Sequence, residues 1–227
     1  MENLDCVVSV TTWKGRIADP DTQLALYSLI KQKTKYKFKV ILTLSKEEFP
    51  NQINELPENI KLLYENKIID IIWADNNNKA LKKLYPICTM YDCPILTTDD
   101  DIICKDSIVE RFMEEHEKFP NMVLSEGGIT VIGIPLTGGF RLFPKDSFLN
   151  IDPKYFREFF QTAEDDLYIA ILMAIKGTPL KYVHSGLMME IPRKMKDATA
   201  LRRTYCRINR TACKTNLINQ LKKDKII

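Results

Sequence analysis

The chain has 227 residues, of which 45% are hydrophobic and 28% charged, and its formal net charge is +3. That length supports one large domain, or a domain with an appendage, around an interior core, and the composition excludes wholesale disorder and fibrous repeats. With 8 glycines and 11 prolines there is no low-complexity linker, and no run reaches the ~18 consecutive apolar residues that a membrane span requires.

The first residues, Met1-Glu2-Asn3-Leu4-Asp5, lack the basic and apolar regions of a signal peptide. The expectation is therefore a cytoplasmic protein whose 6 cysteines are reduced thiols. The spacings of Cys88 to Cys93 and of Cys206 to Cys213 match no zinc ribbon.

Hydrophobic periodicity predicts a buried strand over 6–10 and a helix over 23–31, with Leu24, Tyr27 and Ile30 at helical spacing. Strands are expected over 38–44 and 68–73, a helical segment over 79–84, a fourth strand over 94–98 and a helix over 107–117. Strand and helix alternating in this way imply βαβ units and a mostly parallel sheet with both faces covered. The pattern then changes. Segments 123–135 and 140–143 read as strands of a mixed or antiparallel part, separated by Gly138-Gly139. A strong helix is expected over 165–176, with Leu167, Ala170, Ile171, Ala174 and Ile175 on one face and Gly177 as its stop. A last strand over 180–184 and a basic amphipathic helix over 200–223 complete the chain, and there is no internal repeat.

The sharpest chemical signal is Thr97-Thr98-Asp99-Asp100-Asp101-Ile102-Ile103, an apolar strand that ends in consecutive carboxylates. In open α/β sheets ligands bind beyond the carboxyl ends of the strands. Strand alternation would point Asp99 and Asp101 the same way, as two oxygen donors to one hard divalent cation would need. Adjacent like charges repel, and a bound cation offsets that cost. The plain alternative is a polar turn in which one Asp caps the next helix, a task that Asp106 or Ser107 would serve better. An EF-hand is excluded, because Ile103 stands where a ligand belongs and no Gly follows.

A second acidic cluster, Thr162-Ala163-Glu164-Asp165-Asp166, opens the helix expected over 165–176. Thr162 with Asp165 approximates a capping box, and acids in a first turn complement the helix dipole, so a purely structural role stands beside a catalytic one. Gly138 and Gly139 could admit a ligand close to the backbone or simply make a turn. His184 follows the last strand, and a lone His is more often packed or solvated than a ligand. His116, among Glu114, Glu115 and Glu117, is expected to be solvated.

The acidic segment resembles the DxD motif of glycosyltransferases with the GT-A fold, and in particular bacterial polysaccharide-biosynthesis members whose strand ends in DDD. Further stretches are similar to that family in the same order: Val8-Ser9-Val10-Thr11-Thr12-Trp13-Lys14-Gly15-Arg16-Ile17, then 28–32 and 42–50, then Lys82-Lys83-Leu84-Tyr85-Pro86. The resemblance covers about residues 5–185. It implies an α/β, Rossmann-like catalytic domain over 1–192, with a mostly parallel central sheet and helices on both faces, while the charge of 193–227 reads as a basic helical appendage. It implies a nucleotide-sugar donor and Mn²⁺ or Mg²⁺ bridging its diphosphate. Asp99 and Asp101 would hold the metal, and His184 would be a third ligand. Thr11, Arg16, Lys82, Asp99, Asp100, Gly138 and Gly139 would face the donor. Asp165 would be the base that deprotonates the acceptor hydroxyl, ahead of Asp166 and Glu164, with inversion favoured over retention. A carboxylate stabilised by the helix dipole is a weaker base, which weighs against that assignment. The acceptor would be a saccharide or a lipid-linked saccharide, in surface polysaccharide biosynthesis.

The charge is unevenly distributed. From Arg193 onward there are 11 Lys and Arg against Asp197 and Asp224, a net +9, so the preceding 192 residues, with 22 bases and 28 acids, carry −6. Arg203, Arg207, Arg210 and Lys214 share a stripe opposite Leu201, Tyr205, Ile208 and Ala212, as on a helix docked by one face. The cationic face is simply solvated, meets an anionic membrane at its inner surface, closes over the donor diphosphate or makes an intersubunit contact. Nucleic acid is disfavoured, because the cationic stripe itself carries no aromatic residue and no recognised motif is present. The rivals are an inactive GT-A-like module that binds saccharide or membrane and, further off, an Asp-dependent phosphotransferase.

Overall fold

The computed structural model describes residues 3–75, 79–128, 138–147 and 176–191, with the short pieces 130–131, 134–135, 169–170, 172–173 and 223. The first half follows the expected alternation. Strand β1 (Cys6–Thr11) is a β-branched run buried on both faces, which suits a central position. Helix α1 (Pro20–Ile30) starts earlier than the periodicity suggested: Asp19 caps it by accepting from Asp21 N–H at 2.9 Å, and Pro20 occupies its first turn. Its buried stripe is Thr22, Ala25, Leu26 and Leu29, whereas Leu24 is exposed, so the face expected from Leu24, Tyr27 and Ile30 is rotated.

Next come β2 (Phe38–Ser45), α2 (Glu58–Glu65) and β3 (Ile69–Ala74). Helix α2 was not anticipated; it is only 8 residues long and buries Ile60 alone. The segment expected as a helix over 79–84 is a 3₁₀ turn, Lys79–Lys83, followed by the single turn α3 (Ile87–Met90). After β4 (Ile95–Thr98) come the short β5 (Ile102–Cys104) and α4 (Ile108–Lys118). Neither Asp106 nor Ser107 caps α4 through its side chain; the Asp106 carboxylate pairs with Lys33 at 2.6 Å. His116 is half-buried rather than solvated, and burial holds its imidazole below the usual range. Glu115 is buried and lies 2.9 Å from Lys118 and 3.3 Å from Arg111, and the hydrogen bond from Lys118 lowers its carboxyl.

The stretch expected as one strand over 123–135 is divided into β6 (Val123–Gly127) and the small hairpin β7 (Thr130–Val131) and β8 (Ile134–Pro135). Strand β9 (Gly138–Phe143), β10 (Leu180–Tyr182) and β11 (Met188–Glu190) complete the elements. Residues 169, 170, 172, 173 and 176 are helical, as the 165–176 reading expected, while the start of that helix with Glu164, Asp165 and Asp166 lies outside the described residues. The basic helix expected over 200–223 lies outside them too, except for Lys223, which is helical.

A seven-stranded sheet runs in the order β10-β6-β9-β4-β1-β2-β3. Strands β1, β2, β3 and β4 are parallel, and β9 runs antiparallel between β4 and β6. One face, with Val8, Val10, Leu42 and Leu96, packs on Leu26, Leu29, Ile60, Val109 and Phe112 of α1, α2 and α4. The other, with Val7, Ile41, Ile95 and Phe143, packs on Leu81, Leu84, Ile87, Ile169, Leu172 and Met173. Among the described residues no helix is long and apolar enough to cross a membrane.

Cys6, Cys88, Cys93 and Cys104 are free, and burial pushes the thiols of Cys88 and Cys104 up to about 12. Because the thiolate is the reactive form, native protein at pH 8 is expected to leave Cys6 and Cys104 unmodified by iodoacetamide. Peptide mass spectrometry should find them alkylated only in denaturant.

Candidate active site

Sheet topology places the site. Strands β2 and β3 lie on one side of β1 and β4 on the other, so the strand order reverses between the parallel β1 and β4 and leaves a crevice at their carboxyl ends. Thr11, Thr12 and Arg16 come off β1, and Asp99, Asp100 and Asp101 come off β4. The strand stops at Thr98, and Asp100 and Asp101 stand in a turn that leads to β5, so the alternation expected of a continuing strand does not govern the acids.

The acids turn to opposite sides. Lys83, fully buried on the 3₁₀ turn, pairs with Asp99 Oδ1, and the guanidinium of Arg141 on β9 stands 3.8 Å from Asp99 Oδ2. Asp100 instead accepts from Thr12 Oγ1 at 2.6 Å and from Arg16 at 2.8 Å. The Arg16 and Asp100 side chains are each only 10% exposed, so this is a buried ion pair. Local sequence explains how Arg16 reaches it. The N–H groups of Arg16 and Ile17 both donate to Trp13 C=O, closing a tight turn, and the Trp13 ring lies where a Cβ on Gly15 would be, at 2.3 Å.

Of the other residues expected at the donor, Thr11 donates its hydroxyl to Thr43 C=O at 2.6 Å, and Lys82 pairs with Glu48 at 3.3 Å. Gly138 and Gly139 begin β9 at the same end of the sheet. Gly139 has φ +65°, and a Cβ there would come within 2.4 Å of the Met188 side chain. Gly139→Ala is expected to cost about 1–2 kcal/mol from the left-handed backbone alone, read as a lower denaturation midpoint, and Met188→Ala should relieve only the added contact. His184 is exposed with φ +50°, and its ring centroid is 5.7 Å from that of Tyr182.

The periodicity did not single out Lys83, Arg141, Thr12 or Glu126. Lys83 is next to Lys82 in sequence, and only the 3₁₀ geometry decides which of the two meets the acids. Arg141 stands two residues after Gly139 in a strand otherwise read as apolar core.

Carboxylate oxygens are the ligands that Mg²⁺ and Mn²⁺ take, and Mg²⁺ in particular is commonly held by one or two carboxylates together with substrate phosphates. Among the described residues no three His, Cys, Asp or Glu side chains converge. Asp99 and Asp101 are donors of that kind.

Neither a protein-family model nor a curated protein matches the sequence. Solved structures do. The mannosyltransferase PcManGT from Pyrobaculum calidifontis, in complex with GDP-Man and Mn²⁺, is 14% identical with a TM-score of 0.61, over 89% of this chain and 61% of that one. TarS of S. aureus is 14% identical with a TM-score of 0.58, over 86% of this chain and 38% of that one. TarS 1–349 in complex with UDP-GlcNAc is 12% identical with a TM-score of 0.55, over 84% and 59%. The chain spans less than two thirds of the length of each. What it shares with them is the fold, a mixed, mostly parallel sheet with flanking helices of the Rossmann-like GT-A kind.

Proposed function

We propose that the chain is a glycosyltransferase that moves a sugar from a nucleotide-sugar donor to a hydroxyl of a saccharide or lipid-linked saccharide, in surface polysaccharide biosynthesis. The observation that carries this reading is the acidic turn Asp99-Asp100-Asp101 at the β1/β4 crevice, its carboxylates held by Lys83 and Arg141 on one side and by Thr12 and Arg16 on the other. Complexes of fold-sharing proteins with UDP-GlcNAc and with GDP-Man and Mn²⁺ support it.

In this reading the paired side chains fix Asp99 and Asp100 in place before the donor arrives, so little reorganisation is needed as charge develops on the departing nucleoside diphosphate. Asp99 and Asp101 would hold Mn²⁺ or Mg²⁺, with His184 as a candidate third ligand. When bound, the cation acts as a Lewis acid on the diphosphate. Thr11, Arg16, Lys82, Asp100, Gly138 and Gly139 would border the donor. Asp165 is the proposed base, with Asp166 and Glu164 behind it, and inversion is the proposed outcome. The 193–227 segment would touch an anionic membrane on the cytoplasmic side.

The test is titration with UDP-, GDP- and CMP-sugars with and without Mn²⁺, followed by transfer to saccharide acceptors. One donor class should bind at least ~10-fold more tightly with Mn²⁺, because the cation neutralises the diphosphate beside the acids. Failure of every donor to bind would overturn the reading in favour of a saccharide- or membrane-binding module.

A further inference from the structure

Glu126, the penultimate residue of β6, is buried, and its carboxylate accepts three hydrogen bonds from a single loop. Ser185 N–H and Ser185 Oγ donate to Oε2 at 3.0 and 2.6 Å, and Gly186 N–H donates to Oε1 at 2.6 Å. The loop needs such a hold. His184 and Gly186 both have left-handed backbones, with φ of +50° and +67°, a conformation that is costly for a residue with a Cβ. It is tied further by Ser185 Oγ, which accepts from Leu187 N–H at 3.1 Å.

From this anchor the chain runs straight back to the acidic turn. Leu187 C=O accepts from Lys105 N–H at 2.7 Å, β11 pairs antiparallel with β5, and Ile191 N–H donates to Asp101 C=O at 2.9 Å. Residues 184–191 thus form a strap, held at one end by the Glu126 carboxylate and fastened at the other to the backbone of Asp101. Met188 of the strap lies against Gly139, where a Cβ would also approach Glu126 Cβ at 3.9 Å.

The geometry points to Glu126 as a positioning residue: through residues 184–191 it sets the place of Asp101, and with it the strength of donor binding. The inference rests on the reading of the acidic turn as a donor site. It goes beyond that reading by giving a role to a buried carboxylate outside the turn. A glutamine at this position keeps the shape, but its amide N–H₂ would face an N–H donor of the loop, so at least one of the three hydrogen bonds must be lost.

The experiment is amide hydrogen exchange on Glu126→Gln and Ser185→Ala beside the unmodified chain, with donor KM and kcat measured in parallel. In Glu126→Gln the amides of Ser185, Gly186, Lys105 and Ile191 are expected to exchange about tenfold faster, the size of one lost charge-assisted hydrogen bond. Core amides of β1 and β2 should not change. The donor KM should rise several-fold with kcat altered less, a split that a simple loss of folded protein would not produce. Ser185→Ala removes one donor only and should shift the same amides by a smaller factor. Faster exchange confined to Ser185 and Gly186, with Lys105 and Ile191 unchanged, overturns the proposal. If Glu126→Gln does not fold, the Ile191 amide in Ser185→Ala decides in the same way. Absence of donor turnover by the unmodified chain would count against the glycosyltransferase reading, while the exchange result would still judge the strap.

Discussion

Arg16→Met is expected to cost about 3 kcal/mol of folding stability, the penalty for taking the guanidinium out of a buried ion pair. For a chain of this size that is a fall in Tm of roughly 6–12 °C. The pair is the right place for an effect of that size. Both side chains are 10% exposed, and the Arg16 guanidinium stands 2.8 Å from the Asp100 carboxylate. Asp100→Asn alone should cost less, since the amide still accepts from one side. The double variant should recover part of the loss, because the carboxylate that Arg16 meets is then neutral as well. Thermal unfolding of the two singles and the double makes a double-mutant cycle, and additive losses would show that the pair is not coupled.

Asp101→Asn is expected to lower the rate of sugar transfer by about 10²–10³-fold, the usual loss when one preorganised electrostatic group of an active site is removed. The backbone tie of Asp101, its carbonyl receiving Ile191 N–H, is unchanged by the substitution, so a loss of rate at an unaltered denaturation midpoint belongs to the side chain's role at the site. Steady-state kinetics with the donor identified by titration, together with a denaturation midpoint, separates the two effects. A transfer rate within twofold of the unmodified chain would remove Asp101 from the proposed metal and donor site.

Much of the first half was legible because its strands are long enough to show a period. The 38–44 run, FKVILTL, is buried along most of its length as β2, and its neighbour in the sheet, β1, is a run of Val and Ser that only a doubly covered strand would carry. Strands β5 and β11, of three residues each, were missed although they form the strap's fastening, whereas the equally short β10 was found as part of a longer run over 180–184. The acidic turn was legible as a cluster, but its partners were not. Thr12 and Arg16 lie 88 and 84 residues from Asp100, and nothing local to either segment announces the contact. The helical stripe on α1 was misjudged for a related reason. Which of two apolar stripes is buried depends on where the sheet lies, and Leu24 shows that the sheet lies on the other side.

By itself, then, the sequence determined the alternating α/β class, the end of β4 as the place where charge gathers, and the uneven charge between body and tail, because composition and local period are properties of contiguous residues. Only the tertiary structure decided the strand order that opens a crevice between β1 and β4, the choice of Lys83 over Lys82 as the partner of Asp99, and the hold of Glu126 on the 184–191 strap. Each of these joins residues far apart in the chain, and each is set by which face of the sheet a side chain meets once the strands have packed.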